Sequence, residues 1–389
     1  MKLRWLLLVS LGLFLSNCSD DDDGAGTGAE VATGIPDNSK AGKTPLVTPE
    51  ESNVSIPNVG FNVEKLNGYD VVNMNMTGIY DKEKGEWLTL AGTGAGGQNI
   101  WLEIDGVPRS IKAESTADTR AKAKAQADLV FLVDNSGSMS EEADLLAAEI
   151  MSWSQSLSSQ LDLHLGCVGY EDSYISGGID LGTYDLLDDF LNREGTYGTY
   201  RTEGFEGANA AALRTEAGNY DTYGECGAAA LHFADKNFTF RPGSNRIYVN
   251  FTDEPNQPDR EKKYSVETVK DQKDWAVWQG TIHTVFSGGE YYLDEEYAEY
   301  MWSEYDEKPW LLSDYTGGTS ILDAPSDFKG VTLASLPITG ALTNSSNVVF
   351  YYTPDLATGT HTVKIVVLSP DGSAKAVREF IDVDFSGSK

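Results

Sequence analysis

The stretch Asp128-Leu-Val-Phe-Leu-Val-Asp134-Asn-Ser136-Gly-Ser138-Met-Ser140 decides the reading of the chain. Leu129 to Val133 is an uninterrupted apolar run of the kind a strand shows when both its faces are covered. It breaks at once into Asp-x-Ser-x-Ser, with Gly137 in the turn, and a helical pattern follows. A carboxylate and two hydroxyls at a strand's carboxyl end lie where open α/β sheets bind ligands. Donors that are all oxygen suit a hard divalent ion such as Mg2+, or Mn2+ in its place. The alternative is a tight strand-to-helix turn with a serine cap.

Working outward, Ser140 and Glu142 open a helix whose apolar positions Leu146, Ile150, Trp153 and Leu157 keep helical spacing. Leu161 to Tyr170 reads as the next strand, and Ile247 to Phe251 as another buried strand that ends in Thr252-Asp253-Glu254. Gly280 to Phe286 is a further strand. Strands alternating with helical segments predict an α/β fold, with a doubly wound, mostly parallel sheet. Val331 to Leu342 is expected to be its final helix.

These residues resemble the metal-ion-dependent adhesion site of von Willebrand factor type A (VWFA) domains, and the Ser-Gly-Ser-Met wording fits as well. The resemblance implies a Rossmann-like VWFA domain over residues 128–342, with Asp134, Ser136 and Ser138 as metal ligands. The stretch Tyr220-Asp221-Thr222, ahead of the helical run Gly227 to Leu231, is similar to the family's second metal loop. It would make Thr222 a ligand, with Asp221 as its rival. Asp253 matches the third loop. Asp314 to Ile321 resembles the closing Thr-Gly-Gly turn. Hydroxyl ligands leave the ion electrophilic, so that an acidic side chain of a protein or matrix partner completes its coordination.

Residues 171–221, crowded with Tyr, Gly and acids, are expected to form an irregular insertion rising near the metal face. Tyr200, Arg201 and Phe205 are candidate ligand contacts there, against the reading of an ordinary surface insertion. Between Glu290 and Trp310, the positions Leu293, Tyr297, Tyr300 and Met301 form a core-facing stripe rather than an aromatic binding site.

On either side the pattern changes to period two. Residues 53–116 alternate apolar and polar in Gly60 to Val63, Asp70 to Met76, Trp87 to Leu90 and Ile100 to Ile104, and Asp105-Gly106 is a hairpin signal. Residues 343–389 return to strands, with Pro370-Asp-Gly372 as a turn. The two stretches are expected to be antiparallel Ig-like β-sandwich parts. Either they complete one sandwich into which the VWFA domain is inserted, or they form two separate modules. Residues 117–127 link the first part to the central strand.

The chain begins with Lys2, Arg4 and the apolar run Trp5 to Leu15, a signal-peptide pattern over residues 1–17. Leu15-Ser-Asn-Cys18 resembles a bacterial lipobox, which implies a lipid on Cys18. The run Asp20 to Asp23 is either a solvated spacer or, by resemblance to lipoproteins of the Bacteroidetes type, an export mark for the outer face of the outer membrane. Residues 18–52 read as an acidic, flexible tether. The expectation is therefore a lipid-anchored protein of the outer membrane, exposed at the cell surface. An envelope scaffold that docks a neighbouring subunit constitutively is the alternative.

The balance of 29 Lys and Arg against 60 Asp and Glu, a net charge of −31, argues against a nucleic-acid partner. The four histidines are scattered and form no zinc motif, no phosphate-binding loop occurs, and Ser136 has no sequence-evident base. No enzymatic activity is expected. Of the three cysteines, Cys167 and Cys226 are either one disulfide or two buried thiols.

Overall fold

A computed structural model describes residues 28–116, 126–193, 201–270, 280–289, 292–293, 302 and 306–386. After the short helix α1 (Gly28–Thr33), the first β part runs β1 (Gly60–Leu66), β2 (Tyr69–Met76), β3 (Tyr80–Asp81), β4 (Glu86–Trp87), β5 (Ile100–Ile104), β6 (Val107–Arg109) and β7 (Lys112–Ser115). The α/β part opens with β8 (Gln126–Asp134), α2 (Ala143–Gln160), β9 (Asp162–Glu171), β10 (Tyr174–Gly182) and α3 (Tyr184–Leu191). It continues with β11 (Gly204–Glu206), α4 (Ala210–Ala217), α5 (Gly227–Asn237), β12 (Asn245–Thr252) and α6 (Val266–Lys270). It closes with β13 (Thr281–Phe286), α7 (Leu311–Thr316), β14 (Ser320–Ile321) and α8 (Ile338–Thr343). The last strands are β15 (Ser346–Tyr351), β16 (His361–Leu368) and β17 (Lys375–Val383).

Seven strands form one sheet in the order β11-β10-β9-β8-β12-β13-β14. Its pairings are parallel except β10 against β9. Without the edge strand β11, this is the doubly wound order 3-2-1-4-5-6. The direction of winding reverses between β8 and β12, so the crevice at their carboxyl ends is the switch point.

The central strand shows why its apolar run is unbroken. Leu129, Phe131 and Val133 pack on one face with Leu146, Ile150, Trp153 and Leu157 of α2. Val130 and Leu132 pack on the other with Ala228 to Leu231 and Phe233 of α5. Each fully buried side chain of this size contributes about 1.5–3 kcal/mol. Cys167 belongs to the first face and Cys226 to the second. Both are free buried thiols, and the sheet between them rules out the disulfide alternative.

The two β parts make one sandwich. One sheet is ordered β1-β2-β15-β7 and the other β17-β16-β5-β6. β15, from after the α/β domain, thus lies between β2 and β7, and β16 pairs with β5. Their inner faces share a core that includes Phe61, Met74, Leu102, Phe350, Ile365 and Phe380. Where the chain leaves and rejoins the sandwich, Thr116 N–H donates to the Ser345 carbonyl at 2.9 Å and the two hydroxyls meet at 2.7 Å. The Asp105-Gly106 turn joins β5 to β6 with φ of +51° and +75°, as the hairpin signal requires.

Three sequence expectations change. Residues 28–52 do not hang free: Ile35 is fully buried against Val71 and Val349, and Tyr351 donates to the Ile35 carbonyl at 3.0 Å. Residues 171–221 are not an irregular insertion, because the described part adds β10, β11, α3 and α4 to the sheet and its flank. The final helix is one short turn and α8 rather than Val331 to Leu342. Pro337 lacks an N–H and disfavours helix in the residue before it. Of the proposed aromatic stripe, Tyr297, Tyr300 and Met301 lie outside the described residues.

Candidate metal-binding site

Asp134 ends β8 and Asp253 follows β12, so the switch point brings two carboxylates together from strands adjacent in space. Asp134 is 1% exposed. It accepts from the Ser136 N–H at 2.8 Å and from the Thr252 hydroxyl at 2.7 Å. The Ser136 and Ser138 hydroxyls lie 3.0 Å apart, and Ser138 donates to Asp253 at 3.0 Å. Ser136 is buried while Ser138 is exposed, so the cluster is closed at Asp134 and open to solvent at Ser138.

The electrostatics are those of an acidic hollow. Burial pushes the Asp134 carboxyl up to about 7, and the charge of Asp253 adds to the shift. Burial likewise raises Asp253. Glu254, beside it, is pushed up to about 7, first by burial and then by the Asp253 and Glu225 charges. Glu142 is buried behind the serine loop, held by a 2.7 Å hydrogen bond from Ser287. Its carboxyl is pushed up to about 8, by burial first and then by Asp253 and Asp134.

This donor set fits a hard divalent cation. It is all oxygen, and a bound cation would offset the cost of burying charged Asp134. Among the described residues no three His, Cys, Asp or Glu side chains gather as a metal group. Two carboxylates and neutral hydroxyls are therefore what this cluster offers. Asp134, Ser136, Ser138 and Asp253 would hold the ion, and it would supply a Lewis-acidic position for an oxygen donor from outside.

Thr222 is not part of that hydrogen-bonded cluster. Its hydroxyl donates to the Gly224 carbonyl at 2.8 Å, and its N–H bonds the Ser173 carbonyl at 3.1 Å. Two other threonines stand at the loop, and sequence reasoning missed them. Thr252 binds Asp134, as above, and Thr202 donates to Asn135 at 2.7 Å. Thr252 was findable as the residue preceding Asp253 at a strand end, whereas nothing local marks Thr202.

The candidate contacts separate. Arg201 pairs with Asp144 of α2 at 2.8 Å and lines a small cavity with Asp134 and Thr202. Phe205 is 7% exposed and packs against Phe233 at 6.2 Å between ring centroids. It is a core residue, since an aromatic ring on β11 is more stable under α4 and α5 than in water. Tyr200 and Cys18 lie outside the described residues.

No protein-family model matches the chain, and neither does any curated protein sequence. Solved structures do show similarity. One is BatB from Bacteroides thetaiotaomicron, at 14% identity and a TM-score of 0.31, covering 56% of this chain and 97% of that one. A second is the ArnB paralog VWA2 from Sulfolobus acidocaldarius, at 9% identity and a TM-score of 0.29, covering 85% and 75%. A third is the PilB minor pilin from Streptococcus sanguinis, at 11% and 0.32, covering 78% and 77%. The class rests on the chain's own strand order: a doubly wound α/β domain inserted into an antiparallel β-sandwich.

Proposed function

We propose that this chain is a surface-anchored lipoprotein that binds a protein or matrix ligand through a Mg2+-dependent (or Mn2+-dependent) site made by Asp134, Ser136, Ser138 and Asp253. The observation that carries the reading is the oxygen cluster at the switch point, buried at Asp134 and open at Ser138. With two carboxylates and two hydroxyls, an ion there retains positive character, so a carboxylate from a partner is the favoured added ligand. The anchor is the lipid on Cys18, and residues 19–23 direct the protein outward across the outer membrane.

The test is binding of the purified chain to immobilised extracellular-matrix proteins in Mg2+ and in EDTA, with Asp134→Ala alongside. Binding that EDTA reverses and the variant lacks supports the reading. Binding only to other envelope proteins, indifferent to EDTA, contradicts it and leaves the constitutive scaffold. For the anchor, Cys18→Ser is expected to move the protein out of the membrane fraction of a Gram-negative host. Unchanged fractionation would count against lipidation.

A further inference from the structure

The lipid anchor proposed above fixes one point of the chain, and the structure shows where the chain joins the folded body. The sandwich holds the segment around Ile35, so ten residue steps separate Cys18 from Gly28, the start of α1. Ten steps span at most about 36 Å. A free tether over residues 18–52 would reach more than about 100 Å and leave the body free to turn.

Helix α1 sits at one pole of the sandwich. Asn67, in the turn between β1 and β2, donates to the Ala32 carbonyl at 2.7 Å, and the Thr33 and Tyr351 hydroxyls meet at 2.9 Å. Strand β2 runs away from this pole, from Tyr69 to Met76, a distance of about 23 Å at the usual rise. At its far end Asn75 donates to the Gly243 carbonyl, and the Gly78 N–H to the Ala341 carbonyl at 2.8 Å, both in the α/β domain. Gly243 stands just before the amino end of β12, whereas Asp253 follows its carboxyl end. The α1 pole therefore lies across the sandwich from the α/β domain, and the metal cluster at that domain's far end.

The surface of the pole suits a lipid headgroup layer. Val31 is 77% exposed and Tyr69 38%. Gly28, three residues before Val31 and on the same side of α1, has its Cβ position 4.0 Å from the Tyr69 hydroxyl. Helix and turn thus share one face. An aliphatic side chain beside a tyrosine, apolar in body and polar at its tip, is what a membrane–water interface accepts. The neighbouring charges cancel, since Glu30 pairs with Lys40 and Asp70 with Lys65, each at 2.7 Å. At the metal end Asp253, Glu225 and Glu254 crowd together instead, so an anionic bilayer repels that end and not this one.

We propose that the face formed by α1 and the β1–β2 turn, with Val31 and Tyr69 at its centre, rests on the bilayer that holds Cys18 and so directs the metal cluster away from the membrane. This inference rests on the lipid anchor of the proposed function. A contact this small would not bind the free protein. A short tether raises its effective concentration at the bilayer to about millimolar, where weak apolar burial suffices.

The experiment places an environment-sensitive fluorophore on Val31→Cys or, at the metal end, on Tyr174→Cys in the lipidated full chain. Tyr174 is 50% exposed and lies on the hairpin just past Tyr170, the residue that pairs with Asp134. The chain is reconstituted in phosphatidylethanolamine–phosphatidylglycerol vesicles carrying a headgroup nitroxide lipid. The label at 31 is expected to shift to the blue and be quenched, the label at 174 to do neither, and Tyr69→Glu to reduce the quenching at 31 with the Tm unchanged. Anchored protein whose label at 31 is not quenched, or whose two labels are quenched equally, overturns this inference alone. So does a label at 31 that is shielded in soluble Cys18→Ser protein in proportion to its concentration, which would make the face a contact between copies. A wild-type chain that does not stay with the vesicles after flotation overturns the anchor and this inference together.

Discussion

Asp134 is a carboxylate with too little water and too many carboxylate neighbours, and its behaviour without metal follows from that. Its folded pKa, about 7, stands above its ordinary value of 3.8, so the folded state holds a proton that the unfolded state has released. Stability of the metal-free protein must then fall as pH rises from about 4 to about 7. Glu142 extends the fall to about 8. Thermal melts in EDTA are expected to give a lower Tm at pH 8 than at pH 5, with Asp134→Asn reducing the difference. A metal-free Tm that rises steadily over that interval would contradict the site's electrostatics. Mg2+ should restore stability at pH 8, since it binds the deprotonated form. The sequence showed Asp134, Ser136, Ser138 and Asp253 through local wording, because each sits at or just past a strand end. Thr202 and Glu142 were not legible as parts of the site. Their places depend on how a distant loop and the first turn of α2 fold back, which no local pattern encodes.

At the scale of elements, a strand covered on both faces explains both the unbroken run Leu129 to Val133 and the fate of the cysteines. Cys167 and Cys226 lie in cores on opposite faces of the sheet, and burial raises both thiols far above their ordinary range. Neither should react with iodoacetamide in the native protein, and both should react in denaturant. A native-state modification of either, or a Tm that drops on adding dithiothreitol, would contradict the packing. Helix α2 was legible because Leu146, Ile150, Trp153 and Leu157 all face one core. The segment 171–221 was not, since β10 pairs antiparallel with β9 through two register shifts and its glycines mask the alternation. Gly177 and Gly178 are needed there. A Cβ on Gly177 would meet the Thr202 carbonyl oxygen at 2.2 Å, and one on Gly178 the Cys167 carbonyl oxygen at 2.8 Å.

For the whole molecule, an inserted domain is only as well oriented as its contacts with the host sandwich. Asn58 bridges the two, donating to the Gly280 carbonyl at 2.7 Å and taking the Thr316 carbonyl on its N–H at 3.1 Å. Arg378 of β17 donates to the Ile56 carbonyl at 2.6 Å, to Asn58 and to the Tyr315 carbonyl at 2.9 Å. One guanidinium thereby ties a sandwich strand, the segment before β1 and the end of α7. Arg378→Met keeps much of the side chain's length and removes all three bonds. It is expected to cost about 1–3 kcal/mol and to separate the calorimetric unfolding of the two parts. A single transition at the wild-type Tm would contradict this role. The single sandwich was one of two arrangements open to the sequence, because period-two alternation shows that strands exist but not which of them pair. The docking of residues 28–52 was hidden for a related reason. Two buried apolar residues twelve apart, Ile35 and Val47, in a stretch of Gly, Thr, Pro and Asn carry no periodicity.

The most direct measurement is a calorimetric titration of the chain with Mg2+ and with Mn2+ at pH 8, beside Asp134→Ala/Ser136→Ala. Saturable binding in the wild type, lost in the double variant while its melting stays cooperative, is the expected result. Equal heats in the two proteins, or none in the wild type, would mean that the oxygen cluster at the switch point does not hold a metal, and the ligand-binding function proposed here would fall with it.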